Sequence, residues 1–133
     1  MQKKTQKYLN YTKEEINEYL ENAKDLIKKN KFKISDVNRE KNVDFIQKYH
    51  LSIRKQKEML LLIETLDFCY AVDDYNTNEK LYIFSKEYEL DNWGTYEKIN
   101  VYIKINVKKL ISDEYAIIIS FHEREKEIKF LFK

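Results

Sequence analysis

The sequence contains no proline and a single glycine, Gly94. It therefore has no GxGxxG turn for a dinucleotide, no Walker A loop for a triphosphate and no cis-proline turn. The only cysteine, Cys69, excludes an internal disulfide and any zinc site built from several cysteines. One free thiol suits a reducing compartment. No apolar run approaches the roughly 18 residues needed to cross a bilayer. The opening "MQKKTQKYLNY" has basic residues but no hydrophobic region after them, unlike a secretory signal. These absences predict a soluble, cytoplasmic protein.

What is present suffices for one core. At 133 residues and 43% apolar content, the expectation is a single domain over 1–133, with 1–11 as a flexible N-terminus. The net charge is only +2, yet it is unevenly spread. Through Lys57 there are 15 basic and 8 acidic residues; from Glu58 onward there are 10 and 15. A basic half attracts polyanions and makes their binding salt-dependent. Lysine-rich helix faces are equally an ordinary solvated surface.

The N-terminal half, to about residue 66, reads as helical. In "YTKEEINEYLENAKDLIKKN", Thr12 and Glu15 are spaced as a capping box. Ile16, Tyr19, Leu20, Ala23 and Ile27 then recur at helical spacing, and Asn30 ends the segment. A short extended piece, "FKI", follows. "NVDFIQKYH" reads as a brief helix capped by Asn42, with Val43, Phe45, Ile46 and Tyr49 on its apolar side. His50 serves at its end as a cap compatible with the helix dipole. Ser52 caps a third helix, "IRKQKEMLLLIETL", whose apolar face takes Ile53, Met59, Leu60 and Ile63.

After the turn-like "DDYNTNE" the period changes. "KLYIFSK", "KINVYIKINV" and "EYAIIISFHE" are rich in β-branched and aromatic residues and read as strands, and "EIKFLF" offers a short fourth. "EYELDNWGTYE" is long for a hairpin, with Gly94 relieving a turn and Trp93 either packing locally or stacking on a base. Helices first and strands afterwards predict an α+β fold, with the helices on one face of a three- to four-stranded antiparallel sheet spanning about 80–133. In "VYIKINV", alternation sends Val101, Ile103, Ile105 and Val107 to one face and Tyr102, Lys104 and Asn106 to the other.

An acidic turn, a strand reading "YIF.K", then "YIKI", then "ISFHE" near the C-terminus resembles the MqsR family of toxins from toxin–antitoxin systems. The upstream "REKNVDFIQKYHLS" is similar to that family's helix–turn segment. The resemblance runs from about Lys24 to Glu123, and "YIK…ISFHE" is its most specific part. It implies a RelE-like α+β fold and an mRNA interferase, a sequence-selective endoribonuclease that cuts RNA without a metal ion or cofactor. The expected partners are single-stranded RNA and a cognate antitoxin protein. Tyr102 matches the sheet tyrosine of the family, Lys104 the lysine after it, and His122 the position that is lysine or histidine near the C-terminus. These three are the expected catalytic residues. Lys86, Trp93, Arg54, Lys55 and Tyr70 are the expected RNA contacts. Two positions depart from the pattern: Tyr70 in "LDFCYAVDD" stands where the family often has a lysine, and an apolar position near Ile83 replaces a glutamine.

Metal-free cleavage requires the ribose 2′-OH to attack the neighbouring phosphate. Imidazole, with an ordinary pKa near 6.5, can take or give the proton at neutral pH. Lys104 can offset phosphate charge, and Tyr102 can donate a hydrogen bond to a phosphate oxygen. Glu123 is a candidate to orient His122, although neighbours on a strand face opposite ways. Basic residues Lys28, Lys29, Lys31, Lys33, Arg54 and Lys55 are suited to guiding RNA or to docking an acidic antitoxin segment. Each residue also has a plain reading: His122 as a strand-end surface residue, Tyr102 as a strand-favouring aromatic, Lys104 as edge protection, and Cys69 as a small buried hydrophobe. The competing functional reading is a catalytically silent RNA- or protein-binding module on the same scaffold.

Overall fold

A computed structural model describes residues 6–133. The chain runs through α1 (Lys13–Lys28), β1 (Phe32–Ile34), α2 (Glu40–Lys48), α3 (Ile53–Leu61) and a 3-10 turn at Thr65–Asp67. It continues through β2 (Phe68–Asp73), β3 (Lys80–Asn92), β4 (Thr95–Leu110) and β5 (Asp113–Glu123). The strands form one sheet in the order β1-β5-β4-β3-β2. The fold is α+β, as the order of helical and strand patterns implies. The strand count and pairing differ from expectation: there are five strands, and β1 runs parallel to β5 while the other pairs are antiparallel.

Local chemistry explains the helices. Glu15 N–H donates to the Thr12 hydroxyl and Thr12 N–H donates to the Glu15 carboxylate, closing the capping box of α1. Ile16, Leu20, Ala23 and Ile27 are buried, and Tyr19 stacks on Tyr82 with ring centroids 3.7 Å apart. Asn30 ends the helix at φ 63°, where Asn30 and Lys31 N–H groups donate to the carbonyls of Ile27 and Leu26. His50 plays the same part after α2 at φ 51°, as His50 and Leu51 N–H groups donate to Gln47 and Ile46. Ser52 caps α3 by accepting from Lys55 N–H. Ile53 is exposed, not part of the apolar face, and α3 stops at Leu61.

Asn42 does not cap α2, which begins at Glu40 after Arg39. Its side chain is buried and stitches the helix to the sheet. The Asn42 amide donates to the carbonyls of Ser35 and Ile119 at 2.8 and 3.0 Å and accepts from Phe121 N–H at 2.8 Å. β1 covers β5 only from Ala116 to Ile118. Beyond that point Asn42 supplies the hydrogen bonds a neighbouring strand would have made. This places the start of α2 beside the end of β5.

The strands are longer than their hydrophobic centres suggest. β3 and β4 pair without interruption to Asn92 and Thr95, so "EYELDNWGTYE" is continuous hairpin. Its tip is a two-residue turn with Trp93 at φ 55° and Gly94 at φ 92°, the type that matches strand twist. β2 lies in "FCYAVD", where no strand was expected, and it pairs with β3. The "EIKFLF" segment is not a strand. It crosses the β2 edge, where Leu131 N–H donates to the Phe68 carbonyl at 3.1 Å. Of the N-terminus expected to be flexible, residues 1–5 lie outside those described, while Tyr8 exchanges backbone hydrogen bonds with Ala71.

The helices cover one face of the sheet. There Ile16, Ile27, Met59, Leu60 and Ile63 meet Phe68, Phe84, Val101, Ile103, Ile105, Ile118 and Phe121. Burying each large aliphatic side chain is worth about 1.5–3 kcal/mol. The opposite face holds a smaller cluster of Cys69, Val72, Leu81 and Ile83, on which Ile128 and Phe130 pack with Tyr70, Tyr102 and Ile119. That face is therefore half covered and half open. No helix of the described residues is long and apolar enough to cross a membrane.

Candidate functional site

Two β-bulges decide what the open face displays. On β5, Ser120 pairs with Lys104 but Ile118 pairs with Ile105, so Ile119 is an extra residue. Because strand side chains alternate, the extra residue exchanges the faces of everything beyond it. Ala116 and Ile118 point to the helix side, and beyond the bulge so does Phe121, while Ile119 packs on the opposite cluster. Ser120 and His122 are turned to the open side. On β2, Phe68 pairs with Phe84 and Tyr70 with Ile83, so Cys69 is likewise supernumerary. Phe68 enters the main core, and Tyr70 faces the open side.

Tyr102, Lys104 and His122 thus share one face. Tyr102 is the direct cross-strand partner of His122, and Lys104 that of Ser120. The rings of Tyr102 and His122 are stacked at 5.5 Å, 26° from parallel. Together with Tyr70, Arg124 and Lys126 these residues line an open cleft of about 380 Å³, walled by the segment from Glu125 to Ile128. Lys41 from α2 reaches the same cleft and pairs with Glu125.

Each group has a defined state. His122 Nδ1 lies 2.9 Å from the backbone carbonyl of Glu123. A carbonyl only accepts, so Nδ1–H donates to it and Nε2 is the ring nitrogen not engaged by that bond. The Glu123 backbone thus orients the imidazole, while its carboxylate follows the other strand parity. Burial pushes the Tyr102 hydroxyl well above its ordinary pKa, and the neighbouring Tyr70 hydroxyl adds to the shift. Tyr102 is accordingly a hydrogen-bond donor and not a base. Burial also holds Lys104 below the usual lysine range, and the nearby Arg39 guanidinium adds to this. A desolvated cation held near a second cation is relieved by an anion.

Four of the expected RNA contacts are not gathered here. Lys86 has the parity of Phe84, on the helix side, and its ammonium is 3.3 Å from both Glu64 and Asp67. Arg54 and Lys55 lie on α3, which packs on that side, and Arg54 pairs with Glu58. Trp93 is 81% exposed at the hairpin tip and touches His50 edge-on at 4.5 Å. At about 3.4 Å per residue along β4, that tip is roughly 25 Å from Tyr102. Only Tyr70 reaches the cleft. Of the other basic residues, Lys29, Lys31 and Lys33 are paired with Asp25, Asp113 and Asp36.

Sequence reasoning missed Arg124, whose guanidinium lies 3.3 Å from the hydroxyl of buried Ser85, itself opposite Tyr102 on β3. The signal was in "HER": Arg124 is two residues past His122, and its N–H extends the ladder by donating to Asn100 at 2.7 Å. Cys69 is the inert residue expected, fully buried with its thiol pushed up to about 12. Of the two departures from the toxin pattern, Ile83 is buried and Tyr70 carries the Lys7 ammonium 4.6 Å above its ring. Lys7 lines the cleft as well. Among the described residues no group of three or more His, Cys, Asp or Glu could hold a metal ion. Comparison with protein-family models, curated proteins and solved structures gives no match.

Proposed function

We propose that this chain is a cytoplasmic ribonuclease toxin of MqsR type on a RelE-like scaffold, held inactive by a cognate antitoxin protein. It cleaves single-stranded mRNA by transesterification, without metal or cofactor. The observation that carries this reading is the convergence of Tyr102, Lys104 and His122 on one open cleft.

The chemistry follows from the placement of these groups. The 2′-oxygen attacks phosphorus, its proton passes to a base, and the bond from phosphorus to the 5′-oxygen breaks. The products are a 2′,3′-cyclic phosphate and a 5′-hydroxyl. With Nδ1 held by the Glu123 carbonyl, Nε2 of His122 accepts the 2′-proton; once protonated, the same nitrogen can return it to the leaving oxygen. Tyr102 donates to a non-bridging phosphate oxygen as charge builds there. Lys104 and Arg124 offset that charge, Arg124 with a planar two-point fork and Lys104 as a point charge. Lys7, above Tyr70, supplies a cation beside the position where the family pattern has a lysine.

The test compares wild type with His122→Ala on varied single-stranded RNAs in the presence of a chelator. Cleavage by wild type alone, leaving cyclic phosphate ends, is the expected result. Equal cleavage by both proteins removes His122 from the mechanism. RNA binding with no cleavage by wild type assigns a silent binding module instead.

A further inference from the structure

Three hollows meet at the end of β5, and two residues line each of them: His122, and Lys41 from the first turn of α2. The chemistry given to His122 leaves Lys41 without a task. Helix formation does not account for it, because the helix dipole disfavours a cation in the first turn. Its neighbour Asn42 is stitched to β5, so the backbone of Lys41 is held near His122.

The Lys41 ammonium is occupied. It pairs with the carboxylate of Glu125, on the segment that walls the cleft. Lys41 holds the Glu125 carboxyl below its ordinary range, and the His122 imidazole acts in the same direction. The cleft thus contains a carboxylate seated on one of its own cations. Glu127 lines the cleft as well but has no ion pair among the described residues.

The Lys41–Glu125 pair is built to exchange. Its side chains are 66% and 53% exposed, so water screens the attraction and another anion can replace the carboxylate at little cost. The wall itself stays in place when the pair opens. Arg124 N–H donates to the Asn100 carbonyl at 2.7 Å, Leu131 N–H donates to the Phe68 carbonyl at 3.1 Å, and Ile128 and Phe130 pack on the second cluster. Only the Glu125 side chain has to turn away.

We infer that Lys41 is a further phosphate-binding residue of the cleft, and that Glu125 masks it until an RNA phosphate takes the place of the carboxylate. The inference rests on the reading of the cleft as an RNA site, but it concerns binding and not bond cleavage. A strand already held at Lys104 and Arg124 presents its next phosphate to Lys41 at high local concentration, an advantage a free phosphate ion lacks. The mask therefore favours a chain of phosphates over small anions.

The experiment uses the full chain and a short, non-cleavable 2′-O-methyl oligoribonucleotide, with affinity read by fluorescence anisotropy at fixed ionic strength. Glu125→Gln is expected to tighten binding by about threefold to tenfold, and Lys41→Gln to weaken it by a similar factor. Melting temperatures should stay within about 2 °C of wild type, because the pair is exposed. Glu127→Gln controls for general repulsion and is expected to change affinity by less than about twofold. In the Lys41→Gln background, Glu125→Gln should lose most of its effect, since there is no cation left to uncover. Equal gains from Glu125→Gln and Glu127→Gln, or an undiminished gain in that background, overturn the mask. Wild-type affinity in Lys41→Gln removes Lys41 from the site. An oligoribonucleotide that none of the proteins binds overturns this inference and the RNA reading together. The expected pattern with no ribonuclease activity leaves the mask standing and removes the catalytic reading.

Discussion

Tyr102 and His122 stand directly opposite each other on β4 and β5, with ring centroids 5.5 Å apart. They come from different strands, and the bulge at Ile119 is what turns them to the same face. The contact fixes the imidazole from one side while the Glu123 carbonyl fixes it from the other. The imidazole is thus positioned by one side-chain contact and one backbone contact.

Tyr102→Phe separates the ring from its hydroxyl. The stacking on His122 remains, so unfolding free energy should change by less than about 1 kcal/mol. Loss of one hydrogen bond to the developing charge should lower kcat for RNA cleavage by roughly 10- to 100-fold. Urea denaturation and single-turnover cleavage measure the two effects. An unchanged kcat would reduce Tyr102 to a packing residue.

Lys104→Met should uncouple stability from function in the opposite direction. Desolvation lowers the folded-state pKa of Lys104, so at neutral pH the folded protein carries the cost of a partly buried cation. Removing the charge should raise stability on the order of 1 kcal/mol at pH 7, measured by thermal or urea unfolding. That gain should shrink as pH rises through the lowered pKa toward the ordinary lysine value, because wild type then sheds the proton itself. RNA affinity should fall, and its salt dependence should become shallower.

Asn42→Ala should be among the most damaging substitutions of a polar residue. It strips three hydrogen bonds from a buried side chain and leaves the Ser35 and Ile119 carbonyls and the Phe121 N–H without that partner. A loss of about 2–4 kcal/mol is expected in chemical denaturation. Hydrogen exchange should quicken first at Phe121, next to His122. Protection at Phe121 equal to wild type would show that the stitch is dispensable.

Alkaline pH should destabilise the fold well before general denaturation. The Cys69 thiol and the Tyr82 hydroxyl are each raised to about 12 by burial, and Tyr19, Tyr88 and Tyr102 are raised by the same cause. Between the ordinary values and the raised ones, the unfolded chain releases protons that the folded chain keeps. Stability is therefore complete below about pH 9 and falls as pH increases beyond it. Urea denaturation from pH 7 to 11 checks the slope. Alkylation of Cys69 at pH 8 should require unfolding.

Much of the architecture was legible in local pattern. The capping box at Thr12, the apolar stripe of α1 and the alternation of "VYIKINV" each depend on neighbours within a few residues, and each appears in the fold as read. β2 was missed because "FCYAVD" contains a bulge and sits between a 3-10 turn and an acidic loop, so no clean period of two survives. The hairpin at Trp93 was read as a long connection, although Glu87, Glu89 and Asp91 alternate with buried Tyr88 and Leu90.

The amino-acid sequence by itself determined that this chain makes amphipathic helices and twisted strands, and that Tyr102 and Lys104 share a face. It did not determine on which face His122 and Tyr70 emerge. Continued alternation of β5 from Ile118 would have sent His122 into the helix-covered core. The bulges at Ile119 and Cys69 reversed that, and their positions follow from how five strands, the α2 stitch and the crossing C-terminal segment pack at once. Facing is a property of register, and register is settled only when both partners of a ladder are in place.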